Sequence, residues 1–347
     1  MKKHIIARPL SLLLFLLVFT PSCQRKTAEL KIYTWADYFK PSLIERFEKE
    51  NNCRIIVDTF ESNESMYAKL KAGATGYDLV TPSSYFVKLL DAQGLLLPIE
   101  PAQVPNLQHV DPDYLKIAMD PQMRHSVPYM LTNSGIAYLK SKVKNFQPSW
   151  KVFERGDLKG RMTMLNDMRE TLGAALKSLG YSLNSRNEKE LEAARDVVIR
   201  WKKNLAKFEA EQYKSGIASG EFLVVHGYSG DLLQVQNENP NLEFVIPAEG
   251  TSISCDDLVI LKTAQDVKLA HAFINFIHDP GVAAENTNFL SYVCPNKTSY
   301  SQVNSAIRDN PAIFLAPELR AKCEVIDDLG PDTAKYTKIW DQIKAAP

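Results

Sequence analysis

From Leu30 onward the chain alternates short β-rich runs with segments whose apolar residues recur at helical spacing. Leu30 to Thr34 predicts a strand. Pro41 then opens a helix with Leu43, Ile44 and Phe47 on one face, ending near Asn51. Proline suits the first turn, where its missing N–H costs no hydrogen bond. Arg54 to Thr59 predicts a second strand, and Ser65 to Ala72 a short helix stopped by Gly73. Asp78 to Val80 predicts a third strand, with Ser83 or Ser84 set to cap a helix from Tyr85 to Ala92. The pattern returns after residue 134. Gly135 to Leu139, Met162 to Leu165, Leu223 to Val225, Phe244 to Ile246 and Asp257 to Leu261 predict strands. Between and after them lie helical runs, notably Glu188 to Phe208 and one carrying Leu269, Phe273, Ile274 and Ile277 on one side. Such alternation argues for α/β sheets. No low-complexity linker separates the two blocks, so the chain is expected to cross between two α/β lobes in short strands.

The first residues break this pattern. Lys2, Lys3 and Arg8 precede an apolar run from Leu10 to Phe19, then Thr-Pro-Ser-Cys23. The run is about half the roughly 20 residues that span a bilayer. It predicts a secretory signal over residues 1–22. Cys23 resembles a bacterial lipoprotein acceptor, with Thr20 where a leucine is more usual; the alternative is a plain signal that leaves Cys23 a spare thiol. Export leaves Cys53, Cys255, Cys294 and Cys323 in an oxidising setting. Four cysteines allow three pairings, and the spacing does not choose among them.

Composition narrows the function. With 45% hydrophobic and 24% charged residues, the 347-residue chain is neither disordered nor a multi-span membrane protein. Lys+Arg and Asp+Glu both count 41, so no basic excess points to nucleic acid. Loss of the signal removes three positive charges and leaves a slightly acidic chain. No HExxH occurs. Gly227-Tyr-Ser-Gly230 lacks the spacing of a nucleophile elbow, and Gly73-Ala-Thr-Gly76 lacks the Lys-Ser/Thr of a phosphate loop. No catalytic motif, cofactor or metal is therefore expected. The alternatives are a secreted enzyme on the same two-lobed fold and a binder or sensor of another organic cation.

In α/β sheets ligands sit beyond the carboxyl ends of strands. The loops there share a chemistry: Trp35-Ala-Asp-Tyr38, Ser83-Ser84-Tyr85, Asp167 to Glu170, Tyr228 to Asp231, Asp256-Asp257 and Tyr292. Rings and carboxylates together suit an organic cation. A ring face attracts an ammonium by about 0.5–2 kcal/mol, and a carboxylate offsets its desolvation. Asp167 and Glu170 also fit a helix N-cap and capping box. Tyr38, Tyr85 and Tyr228 could equally be core or rim aromatics. His226 lies near this predicted cleft; His271 and His278 flank one helix and read as surface residues.

These stretches also resemble the bacterial periplasmic spermidine/putrescine-binding proteins, the solute-binding subunits of polyamine ABC importers. The resemblance runs from about Leu30 to near the C-terminus. Its most specific parts are Tyr33-Thr-Trp-Ala-Asp-Tyr38, Phe60-Glu-Ser-Asn-Glu-Ser-Met-Tyr-Ala-Lys-Leu70 and Tyr77-Asp-Leu-Val-Thr-Pro-Ser-Ser-Tyr85. It implies a two-lobed, type II periplasmic solute-binding fold with crossover strands at a hinge. Residues 27–133 plus 257–300 would form one lobe, and 134–256 plus 301–347 the other. It implies a polyamine ligand, a membrane permease as partner, and a monomer in the periplasm that meets a membrane only through a lipid on Cys23. Trp35, Tyr38, Ser83 and Tyr85 match cleft positions of the first lobe, with Ser84 beside them. Asp167 and Glu170 match a carboxylate pair of the second. Tyr228 falls where tryptophan is usual, Asp256 matches the amine-binding carboxylate, and Tyr292 a cleft tyrosine. Two positions depart: Ser254 replaces a stacking aromatic, and Ile326 stands where spermidine binders have glutamine. Those losses leave the choice between putrescine and spermidine open.

Overall fold

A computed structural model describes residues 27–116 and 118–347. The expected signal and Cys23 lie outside the described residues. Among the described residues ten strands form one curled sheet: β1 (Ala28–Thr34), β2 (Cys53–Thr59), β3 (Leu79–Val80), β4 (Val127–Leu139), β5 (Met162–Leu165), β6 (Leu205–Glu209), β7 (Val224–Tyr228), β8 (Leu242–Val245), β9 (Ser252–Ile260) and β10 (Glu324–Val325). Their order is β2-β1-β3-β9-β4-β7-β5-β6, with β8 on β4 and β10 on β9. β1 is parallel to both β2 and β3, as strand–helix–strand crossovers require.

Two strands carry the chain between the halves. β4 pairs with β9 along Val127–Asn133, then with β7 from Ser134. β9 meets β10 at Ser252 and Ile253, and β3 at Val259 and Ile260. Each half has its own apolar core. One is built around Phe47, Phe273 and Tyr129, the other around Trp150, Trp201 and Tyr336.

The helices start as their sequences dictate. Helix α1 (Pro41–Asn51) has proline in its first turn and buries Leu43 and Phe47. Helix α2 (Asn63–Lys71) is capped by Ser62, whose side chain accepts from the Ser65 N–H. Helix α3 (Ser84–Ala92) has Ser83 at its N-cap, but the Ser83 side chain makes no cap bond.

Several expectations are corrected. The run from Glu188 is helical only to Lys202; Leu205–Glu209 leaves as edge strand β6. His271 and His278 are buried, not surface residues. His271 Nδ1 donates to the Val267 carbonyl and its Nε2 accepts the Glu100 N–H, so both nitrogens are used inside the core. Cys53, Cys255, Cys294 and Cys323 are all free thiols. Among the described residues, no helix is long and apolar enough to cross a membrane.

Candidate functional site

Asp256 is the centre of the cleft. Sequence pattern placed it in a loop before a strand, but it lies inside β9. Side chains alternate across a strand, so Ser252, Ser254 and Asp256 share one face and Ile253, Cys255 and Asp257 the other. The Tyr38 hydroxyl donates to Asp256 Oδ2 at 2.5 Å, and Ser83 Oγ donates to Oδ1 at 2.6 Å. That second bond explains why Ser83 leaves the end of α3 uncapped. Both donors are neutral, so the carboxylate keeps its charge uncompensated. Burial raises its pKa to about 7, although the two hydroxyls pull it down.

Asn63 supports this arrangement from the first turn of α2. Its Nδ2 donates to Ser83 Oγ at 3.0 Å and to Tyr85 Oη at 3.2 Å, and its Oδ1 accepts the Ser83 N–H. Tyr38 is fixed through its backbone, whose carbonyl accepts the Tyr129 hydroxyl.

Asp257, one residue on, is committed elsewhere. It accepts the hydroxyls of Ser84 and Ser126 on the opposite face of β9, and burial raises its pKa to about 6. Ser84 therefore does not line the cleft, unlike the other nine candidate contacts. Its hydroxyl serves the sheet.

The second half supplies Asp167 and Glu170. Asp167 caps helix Met168–Ser178, accepting the N–H groups of Arg169 and Glu170. Glu170 does not close the expected capping box. Its Oε2 instead accepts Ser134 Oγ at 2.7 Å and Ser252 Oγ at 2.6 Å, from β4 and β9. Burial, then the charge of Asp167, raises its pKa to about 7. Arg169 sits between the two acids in sequence, and its charge lowers both of their pKa values, although burial outweighs it. Its guanidinium donates to the Asp327 carbonyl and to Asn184 Oδ1.

These residues enclose a cleft of about 240 Å³. Seven carboxylates line it: Asp37, Glu61, Asp167, Glu170, Glu211, Asp231 and Asp256. Among the described residues, Lys214 is the single cationic one lining it, held by Gln234 Oε1 at 2.9 Å and lying 3.8 Å from Asp231. Trp35, Tyr38, Tyr85, Tyr228 and Tyr292 supply ring surface. Trp35 stands edge-on to Phe60, with centroids 4.4 Å apart, and Tyr38 to Tyr292 at 6.0 Å. Such walls suit an aliphatic chain, and the acids suit its charged ends. Ser254 and Ile326, the two departures, both line the cleft. Among the described residues, no group of His, Cys, Asp and Glu is placed to hold a metal ion.

Asn63, Asp231 and Lys214 lie outside the set picked from sequence. Asp231 stands three residues past Tyr228 in a stretch already singled out, and Asn63 lies within the distinctive Phe60–Leu70 run. His226, expected near the cleft, is buried against Trp150 at 4.8 Å and does not line it.

Comparison with known proteins agrees with this architecture. The family model described as bacterial extracellular solute-binding protein matches residues 42–315. The putrescine-binding periplasmic protein SpuD of Pseudomonas aeruginosa is 32% identical, over 91% of this chain and 92% of its own. The crystal structure of the TpPotD lipoprotein of Treponema pallidum is 35% identical with a TM-score of 0.82, covering 91% of this chain and 99% of that one. The spermidine/putrescine ABC transporter substrate-binding protein PotD of Streptococcus pneumoniae is 30% identical with a TM-score of 0.79, covering 92% and 99%. With the family model spanning most of its length and the two-lobed fold shared throughout, the chain belongs to the bacterial extracellular solute-binding proteins, a family of binders rather than enzymes.

Proposed function

We propose that the protein captures a linear polyamine, putrescine or spermidine, between its lobes and delivers it to an ABC permease in the cytoplasmic membrane. The observation that carries this reading is the charge of the cleft: seven carboxylates against one ammonium, with Asp256 held only by neutral hydroxyls. A buried carboxylate without a counter-charge is costly, and a ligand ammonium supplies that charge. The ligand's methylenes would lie on the rings of Trp35, Tyr38 and Tyr85, and its second amine would face Asp167 and Glu170. The names of the relatives, which include putrescine-binding and spermidine/putrescine-binding proteins, support the same ligand class.

The same reading assigns residues 27–133 plus 257–300 to one lobe and 134–256 plus 301–347 to the other, with β4 and β9 as the hinge. Acids on both sides of the cleft mean that a bridging diamine favours the closed arrangement. The protein acts as a monomer, held at a membrane by acyl chains on Cys23; Cys23→Ala would release it or block its processing. Mass spectrometry of small molecules released on denaturing the purified protein tests the function. A polyamine at near one equivalent is expected, and a released anion or neutral sugar would overturn it.

A further inference from the structure

Lys214 faces seven acids in the cleft, and among the described residues no other cation lines it. Two hydrogen bonds fix its place. Gln234, on the helix Ser229–Glu238, donates its Nε2 to the Leu290 carbonyl at 3.0 Å. That bond settles the orientation of the amide and turns its Oε1 to Lys214 Nζ, 2.9 Å away. The ammonium then lies 3.8 Å from Asp231 Oδ1, while Asp231 Oδ2 accepts the Tyr213 hydroxyl at 2.5 Å.

Of the seven acids, Asp231 alone is paired with a lysine or arginine among the described residues. Asp256 is held by the hydroxyls of Tyr38 and Ser83, and Glu170 by those of Ser134 and Ser252. The protein thus supplies its own ammonium at one acid and leaves the others to the ligand.

Asp231 belongs to the same ligand surface as Asp256. Gly230 precedes it, and a Cβ there would lie 2.6 Å from the Tyr292 ring, so the helix starts hard against that ring. Burial raises the Tyr292 pKa, and the charges of Asp231 and Asp256 both add to it, as two acids close to one ring do. Asp37 reaches the same corner. Burial raises the Asp231 pKa against the pull of Tyr213 and Lys214, and the charge of Asp37 adds to the rise.

We propose that Lys214 is a specificity-determining residue: its ammonium holds the place at Asp231 that a third ligand amine would take, so the cleft selects a diamine over longer polyamines. This rests on the polyamine reading above, in which one amine meets Asp256 and the second meets Asp167 and Glu170. Both amines of a diamine are then served away from Lys214. A third amine reaching the corner of Asp231 and Asp37 meets a like charge already seated there. Discrimination of this kind comes from repulsion of the wrong ligand rather than from added attraction to the right one.

Competition titrations of putrescine, spermidine and the two monoacetylspermidines against the full mature protein test this role. The acetylated compounds keep the length of spermidine but carry one charge fewer. Lys214→Met keeps most of the aliphatic stem and removes the ammonium. It should improve spermidine relative to putrescine about fivefold, the scale of a partly exposed charge contact. It should leave both acetylated compounds no better relative to putrescine than in the wild type. Lys214→Arg, which keeps the charge, should retain the wild-type ranking. Adding Asp231→Asn to Lys214→Met should cancel the gain. A gain shared equally by all four compounds, or one that survives Asp231→Asn, would overturn the proposal. An unaltered ratio in a Lys214→Met protein that still binds putrescine would overturn the role of Lys214 alone. A folded wild-type protein that binds none of the four would overturn the polyamine reading, and the role of Lys214 with it.

Discussion

Replacing Asp256 by asparagine removes one charge and almost no volume. In the free protein the change is mild. The Asn carbonyl still accepts from Tyr38 or Ser83, and its amide can donate to the other hydroxyl oxygen. The fold even gains. Burial holds the folded pKa of Asp256 at about 7, above its unfolded value, so ionisation weighs against folding. That penalty grows as pH rises from about 4 to 7 and is complete above 7. It is at most about 4 kcal/mol, at 1.36 kcal/mol per pKa unit. Ligand binding reverses the balance. An ammonium about 4 Å from a carboxylate gains about 4 kcal/mol at an effective dielectric of 20. Leaving a buried charge without its partner costs about 3–5 kcal/mol. Asp256→Asn should therefore weaken putrescine about 100- to 1,000-fold at pH 8, on the scale of 1.4 kcal/mol per tenfold. Its Tm without ligand should equal or exceed that of the wild type at pH 8, with no advantage at pH 3. Titration calorimetry and thermal unfolding at both pH values give the two readouts. Undiminished affinity, or lost affinity together with a lowered Tm, would refute the reasoning.

Other outcomes follow from the same site. Asp256 and Glu170 both titrate at about 7. Each acts as a counter-charge only when ionised, so putrescine affinity should rise from pH 6 to 8 and level off above, with protons released at pH 7. Calorimetry in buffers of different ionisation enthalpy measures that release. Ile326 is buried in the cleft wall where spermidine binders carry glutamine. An amine facing it lacks a partner, at about 1–3 kcal/mol; Ile326→Gln should improve spermidine relative to putrescine in competition titrations. His226 has neither ring nitrogen bonded among the described residues, and burial holds its pKa at about 3. Its folded pKa lies below its unfolded one, so stability is lost as pH falls below about 6.5. His226→Phe should raise stability by about 1–3 kcal/mol in denaturant titrations and lessen the loss in acid.

The outer elements were legible because they obey a single rule each. α1 and the helix Val267–Ile277 bury one regular face, and periodicity shows it; β1 reads as a short apolar run because Ile32, Tyr33 and Thr34 are all buried. The hinge strands were only half legible. Gly135–Leu139 and Asp257–Leu261 are apolar enough to read as strands, but Thr132, Asn133, Ser134 and Ser252 to Asp256 look like loop. They are strands because β4 and β9 pair with each other, and the side chains of Thr132, Ser254 and Asp256 face the cleft. That tertiary cause is invisible in a local window, and it put Asp256 at a strand end when it lies mid-strand. The cleft residues themselves were found through aromatics and acids at loop positions. Asn63 escaped because its role is to hold Ser83 and Tyr85, and a helix start gives no sign of that. Ser84 was included because it neighbours Ser83, although a helical start turns the two hydroxyls to different carboxylates.

The central claim is that this acidic, ring-walled cleft binds a linear polycation. Titration calorimetry on protein denatured, dialysed free of ligand and refolded tests it most directly. The account predicts saturable binding of putrescine or spermidine at one site, with proton release at pH 7 and no heat from 1-butanol. A folded protein that gives no heat with either polyamine, or that binds the uncharged alcohol as tightly, would contradict it.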